Sequence, residues 1–96
     1  MKGGIVYILA SKRNGTFYIG ITSDLFRRMQ EHREGIGSSF AKRYGVSRLV
    51  YFEEYSLYTD AIRRETNLKR WKRAWKLALI EKHNPQWNDL LETWHR

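Results

Sequence analysis

The sequence predicts a small α/β (α+β) domain of element order ββαβααα, built on a three-stranded sheet. Three observations predict it. Short β-branched and aromatic segments occur at residues 5–10, 17–21 and 48–55, and Asn14-Gly15, a strong tight-turn signal, separates the first two. From residue 59 to about residue 83 the apolar pattern is helical. Ninety-six residues with 42% hydrophobic and 15% aromatic content suffice for one core, so residues 1–96 read as a single domain.

Taken in order, residues 5–10 and 17–21 form a hairpin. Thr22 or Ser23 caps a helix with Asp24 in its first turn, where a carboxylate meets the positive end of the dipole. Gly35-Ile36-Gly37 ends that helix. Residues 38–45 are a basic loop or a short helix, and residues 48–55 are the third strand. The long helical stretch stops at Asn84-Pro85. Its apolar phase slips on the way. Ala61, Ile62 and Leu68 mark one face, and Trp71, Trp75, Ala78 and Leu79 mark another, rotated by roughly 90° at 100° per residue. A straight helix cannot bury both sets on one surface, which predicts a break within residues 69–73 with both sets in the core. After Pro85, Trp87, Leu90, Leu91 and Trp94 recur at i, i+3, i+4 and i+7, a short amphipathic helix capping the core.

The absence of cysteine excludes a disulfide scaffold, thiol catalysis and a thiolate zinc site. The apolar run at residues 5–10 is too short for a signal-peptide core or a membrane span. A soluble cytoplasmic protein, monomeric by default, is the expectation. Eighteen Lys and Arg against ten Asp and Glu leave a formal charge of +8, which suits a polyanionic partner, nucleic acid being the commonest. A basic surface that merely aids solubility is the plainer alternative.

Several polar residues stand where packing would prefer apolar ones. Strand alternation separates Val6 and Ile8 from Ile5, Tyr7 and Leu9. Two hairpin registers fit, a two-residue Asn14-Gly15 turn or a four-residue loop pairing Ala10 with Gly15. They differ by an even number, so both put Tyr7 on the face of Tyr18 and Gly20, and Phe17, Ile19 and Ile21 with Val6 and Ile8. Two phenols then lie beside a glycine that leaves open space; taken alone, two ordinary core tyrosines with satisfied hydroxyls are the favoured explanation. Arg28 and His32 share a helix stripe with Leu25 and Met29, as a surface pair or as a couple approaching the sheet. Glu65 lies among Ala61, Ile62 and Leu68. A carboxylate half out of water needs a cation, a donor or a raised pKa. An ion pair with Arg28, Arg63, Arg64 or Lys69 meets that need, and so does a hydrated Mg²⁺ taking its other oxygens from water and phosphate. Lys69, Lys72, Arg73 and Lys76 follow helical spacing, and Lys42-Arg43 precede the third strand.

These residues resemble a known family. Val6-Tyr7-Ile8, then Tyr18-Ile19-Gly20 eleven residues after Tyr7, is similar to the paired motif of the GIY-YIG nuclease domain. Arg28, His32, Glu65 within Arg63-Arg64-Glu65, and Asn84 before Pro85 extend the similarity in order over essentially the whole chain. It looks closest to the small standalone bacterial members, the Asn84-Pro85-Gln86-Trp87 ending included. Ile5-Val6-Tyr7 replaces Gly-Ile-Tyr, with Gly4 one residue early, while the tyrosine that carries the chemistry is in place.

The resemblance implies a three-stranded antiparallel sheet flanked by helices, and a metal-dependent phosphodiesterase that cuts DNA with Mg²⁺ or Mn²⁺. Glu65 would hold the metal and Arg28 the scissile phosphate. Tyr7 would act at the attacking water and Tyr18 would orient phosphate or water. His32 would bond within the tyrosine cluster, and Asn84 would hold a phosphate or support the site. Gly20, Lys42, Arg43, Lys69, Lys72 and Arg73 are the expected nucleic-acid contacts. A phenol is mostly protonated at neutral pH, so the expectation is that Arg28, nearby lysines and the metal lower the Tyr7 pKa, with His32 accepting its proton. A catalytically weak or inactive nucleic-acid-binding module is the alternative from another class. A plain interaction domain using Trp71, Trp75, Trp87 and Trp94 is a third.

Overall fold

The computed structural model describes residues 3–36 and 39–93. Its strands are β1 (Gly4–Ala10), β2 (Phe17–Thr22) and β3 (Arg48–Tyr55), in the antiparallel order β2-β1-β3. Its helices are α1 (Leu25–Arg33), α2 (Ser39–Tyr44), α3 (Tyr58–Arg70), α4 (Arg73–His83) and α5 (Leu90–Thr93). The predicted order holds, with the basic segment before β3 resolved as the short helix α2; Ser38 lies outside the described residues.

The hairpin register is neither of the two expected. Ala10 pairs with Phe17 and Tyr7 with Gly20, leaving residues 11–16 as the connection. Asn14 there takes φ +57, and Ser11 Oγ accepts from Thr16 N at 3.0 Å. This register differs from each alternative by two residues, so the face assignment survives. Val6, Ile8 and Ala10 join Ile19 in one core, with Phe17 and Ile21 packed against it, while Tyr7 and Leu9 face the other. β1 is central and lined with apolar side chains on both faces, which is why it is buried along most of its length.

The cap of α1 is Asp24 rather than Thr22 or Ser23. Asp24 is extended and its Oδ1 accepts from Arg27 N at 3.1 Å, while Thr22 Oγ1 accepts from Asp24 N. The helix ends as expected. Gly35 has φ +79, Gly35 N donates to His32 O, and Ile36 N donates to Glu31 O, the paired closing bonds of a glycine stop.

The break between α3 and α4 falls at Trp71 and Lys72, both extended. The rolls of the two helices differ from the sequence expectation. Ala61 and Leu68 are buried, but Ile62 is 45% exposed. On α4, Ile80 is buried while Trp75 is 53% exposed and Ala78 is also exposed. Two extended residues uncouple the helices, so α4 turns its Leu77–Ile80 edge inward, and Trp75 stacks edge-on with Trp71 under the Lys72 ammonium. The C-terminal pattern also divides. Trp87 precedes α5, takes φ +55, is fully buried and stacks on Phe17. Leu90 and Leu91 pack on the opposite core. Trp94 lies outside the described residues. Thus α3, α4 and Trp87 cover one face of the sheet, and α1, α2 and α5 the other.

Candidate functional site at the edge of β2

Tyr7 stands on the central strand directly opposite Gly20 of the edge strand. A Cβ at Gly20 would lie 2.3 Å from Tyr7 Oη and 2.4 Å from its Cζ. The glycine therefore makes room for the phenol to lie across β2 toward its outer edge. The space expected to be open is filled by Tyr7, and Gly20 is buried, so it is corrected from a nucleic-acid contact to a seat for the phenol.

The Tyr7 hydroxyl and His32 Nε2 are 2.9 Å apart. The rings of Tyr7, Tyr18 and His32 pack on one another, and Phe40 extends the cluster from Tyr18. α1 aims this side of the site. Leu25 and Met29 bury its apolar stripe, which carries His32 inward at 6% exposure, with Arg28 one turn earlier. Arg28 Nη1 meets Glu31 Oε1 at 3.4 Å, while Arg28 Nε is buried without a hydrogen-bond partner.

Burial is the main influence on the titrating groups. Tyr7, 2% exposed, has its pKa pushed well above the usual phenol value, first by burial and then by Tyr18; Glu65 and Glu31 add to this and Arg28 opposes it. For the protein groups alone the direction is opposite to the lowering expected from Arg28, nearby lysines and a metal together, because desolvation outweighs the one nearby guanidinium. His32 is pushed down by burial and then by Arg28, so its imidazole is neutral. Its Nδ1 is buried without a hydrogen-bond partner. Either tautomer leaves one hydrogen of this buried pair without a partner, the Nδ1–H or the Tyr7 O–H. With the ring proton on Nε2 His32 donates to Tyr7 Oη, and with it on Nδ1 the phenol donates to Nε2.

Glu65 reaches the same edge from the other side of the sheet. α3 packs over β1 and β2 through Ala61 and Leu68. Arg64 and Glu65 flank that buried line on opposite sides. Arg64 turns toward β3, where its Nε and Nη2 donate to Glu53 at 2.9 and 2.8 Å. Glu65 turns toward β2, its side chain 16% exposed, with Oε2 3.2 Å from Lys69 Nζ. Lys69 lines a cleft of about 370 Å³ along β2 with Phe17, Tyr18, Ile19, Phe40 and Lys76. The two sides of the sheet thus meet around its open edge.

The remaining expected residues divide. Asn84 stands apart, because its Nδ2 donates to Val50 O and Asn88 O and its Oδ1 accepts from Asn88 N. It clasps the C-terminal segment to β3, at the sheet edge opposite the cleft. Arg73 Nη2 donates to Asn14 O and Gly15 O, and its guanidinium covers Phe17, so it braces the hairpin turn. Lys42 and Arg43 lie on α2 beside Phe40, Arg43 over the Tyr44 ring, and Lys72 lies over Trp75.

Two features escaped the sequence reading. Glu31 was legible as the i+3 neighbour of Arg28. Glu53, an acid opposite Val6 on the core side of β3, was signalled by strand alternation. It accepts from Tyr51, Tyr55 and the Arg64 fork. Burial alone would raise Glu53, but these donors outweigh it and hold the carboxyl below its usual range.

Among the described residues no group of three His, Asp or Glu side chains stands together to hold a metal ion. A single carboxylate such as Glu65 suits a hydrated hard cation that draws its other oxygens from water and phosphate. Among the same residues no helix is long and apolar enough to cross a membrane.

The family model for the GIY-YIG catalytic domain matches residues 3–78. A UPF0213 protein of Xanthomonas axonopodis pv. citri is 39% identical over 81 residues, covering 84% of this chain and 78% of that protein. A UPF0213 protein of Staphylococcus aureus is 33% identical over 81 residues, covering 84% of this chain and 98% of that one. The solution NMR structure of a UPF0213 protein from Bacillus halodurans superposes with a TM-score of 0.57 at 28% identity, covering 94% of this chain and 95% of that one.

Proposed function

This chain belongs to the GIY-YIG catalytic domain family, whose members are nucleases that generally use divalent metals, and from that premise we propose that it is an endonuclease hydrolysing phosphodiester bonds in DNA with Mg²⁺ or Mn²⁺. One observation carries the reading. A buried phenol, 2.9 Å from an imidazole nitrogen, packs on Tyr18 in the wall of an open cleft that Lys69, the partner of Glu65, also lines.

In this proposal Arg28 holds the scissile phosphate, its unpartnered Nε adding a donor for a phosphate oxygen. Glu65 holds the divalent ion, which when bound stabilises the charge that develops on the phosphoryl oxygens. Tyr7 orients the attacking water as a neutral phenol, its oxygen held by His32. Tyr18 flanks the same position from the cleft wall. Lys69 and the exposed cations of α2 supply sequence-independent contacts to the DNA backbone, so affinity falls with salt. Asn84 contributes stability rather than chemistry.

The test is plasmid nicking by wild type and Glu65→Ala, at matched DNA binding, with Mg²⁺ and with Mn²⁺. Removing one transition-state contact costs about 10²–10³ in rate, so Glu65→Ala should fall by at least that factor. Equal nicking by both proteins overturns the assignment. Binding without cleavage by wild type in either metal replaces it with a nucleic-acid-binding module.

A further inference from the structure

Each charged residue at the centre of the proposed chemistry already holds a partner of opposite sign. Arg28 Nη1 is 3.4 Å from Glu31 Oε1, and the other oxygen of that carboxylate is 3.5 Å from Arg27 Nε. Glu65 Oε2 is 3.2 Å from Lys69 Nζ. Both pairs are made within single helices, at i,i+3 and i,i+4, so they need no tertiary support. The Glu31 contacts are longer than a charge-assisted hydrogen bond, usually about 2.7–2.9 Å. One carboxylate is divided between two guanidinium groups, and Arg28 Nε stays buried and unpartnered beside it. Lys69 is more than half exposed, and a solvated pair of this kind is weak and readily exchanged.

We propose that Glu31 and Lys69 are placeholders, which hold the site in its unliganded state and are exchanged for ligands on loading. Glu31 neutralises the guanidinium that a substrate phosphate takes. Lys69 neutralises the carboxylate oxygen that the divalent ion takes. Without Glu31, Arg27 and Arg28 would stand side by side on α1 with no counter-charge from that residue. Without Lys69, a largely buried Glu65 would stand with its charge uncompensated. Each placeholder also repels the incoming ligand, the carboxylate a phosphate and the ammonium a cation, so each lowers affinity. Exchange releases the Lys69 ammonium into the cleft lined by Tyr18 and Phe40, where it can take up a backbone phosphate. The inference rests on the proposed function and adds how the site regulates its own loading.

The two halves are measured separately and without turnover. Binding of a fluorescein-labelled DNA oligonucleotide in EDTA, by anisotropy, compares wild type, Glu31→Gln and Arg28→Ala. Binding of Mn²⁺ to the free protein, by electron paramagnetic resonance, compares wild type, Lys69→Met and Glu65→Ala. Glu31→Gln should tighten the oligonucleotide by about three- to tenfold, and Lys69→Met should tighten Mn²⁺ by a similar factor. Unchanged or weaker binding in either variant, with its thermal transition intact, overturns the placeholder role. Arg28→Ala and Glu65→Ala separate this from the parent reading. If they weaken oligonucleotide and Mn²⁺ while the placeholder variants do not tighten them, the proposed function stands and this inference falls. If they weaken neither ligand, the proposed function falls with it.

Discussion

Gly20→Ala measures the closest approach in the site. The added Cβ would lie 2.3 Å from Tyr7 Oη, 2.4 Å from Cζ and 3.0 Å from Tyr18 Cε2. Gly20 has no positive φ, so the backbone accepts alanine and the conflict is purely one of space. Carbon atoms pack at about 3.5–4.0 Å, so the phenol must retreat by about 1 Å or β2 must bow outward. A buried ring has no flexible end to swing aside. A displacement of that size spoils the 2.9 Å hydrogen-bond geometry with His32. Overpacking of about 1–3 kcal/mol and about 1 kcal/mol for the lost hydrogen bond together give a destabilisation of about 2–4 kcal/mol. Displacing a reacting group by about 1 Å costs about 10² in rate. Urea unfolding followed by tryptophan fluorescence measures the first effect, and nicking per folded molecule the second. In a Tyr7→Leu background, which lacks the ring atoms, the same substitution should cost less than about 1 kcal/mol, a coupling that identifies the contact. A Gly20→Ala protein within about 0.5 kcal/mol of wild type with unchanged turnover would refute the reasoning.

Other expectations follow from the same geometry. Asn84→Ala removes three hydrogen bonds to backbone groups and should cost about 1–3 kcal/mol in urea while leaving turnover per folded molecule unchanged; a specific loss of turnover would return Asn84 to the site. Glu53 is held below its usual range, so its contribution is present above about pH 4.5 and is lost as pH falls through the folded value. Glu53→Gln should lower stability at neutral pH and flatten that acid limb, and an unchanged limb would contradict the Arg64 clamp. His32 is also depressed, so stability should decline as pH falls from about 6.5, and His32→Gln should remove that slope. Tyr7 is raised, as are Tyr51 and Tyr55, so its contribution is present below pH 10 and is lost as pH rises above it; Tyr7→Phe should leave the number of phenols that titrate near pH 10 in the ultraviolet unchanged, and the loss of one would refute the shift.

How much of this was legible varies with the interaction. Residues 48–55 read as a strand and appear as β3 with the same bounds, because a β-branched, aromatic run between turn signals leaves little choice. The break between α3 and α4 was legible as a slip in apolar phase. The roll of each helix was not, since Ile62 and Trp75 fit an apolar stripe as well as the residues that are actually buried. Asn84 was legible as a helix stop. Its role as a clasp on Val50 was not, because it depends on a carbonyl thirty-four positions away.

The sequence by itself determined which side chains share a face of β1. Side chains alternate with period two, so any hairpin register shifted by two residues keeps Tyr7 with Tyr18 and Gly20. It also put Glu31 within reach of Arg28 and Lys69 within reach of Glu65, because i,i+3 and i,i+4 side chains are neighbours in any helix. Only the tertiary structure decided that Tyr7 lies across Gly20, that Glu65 comes around the open edge of β2, and that burial drives the Tyr7 pKa upward. Those outcomes depend on how deeply a group is removed from water and which distant atoms surround it. Local periodicity carries neither quantity.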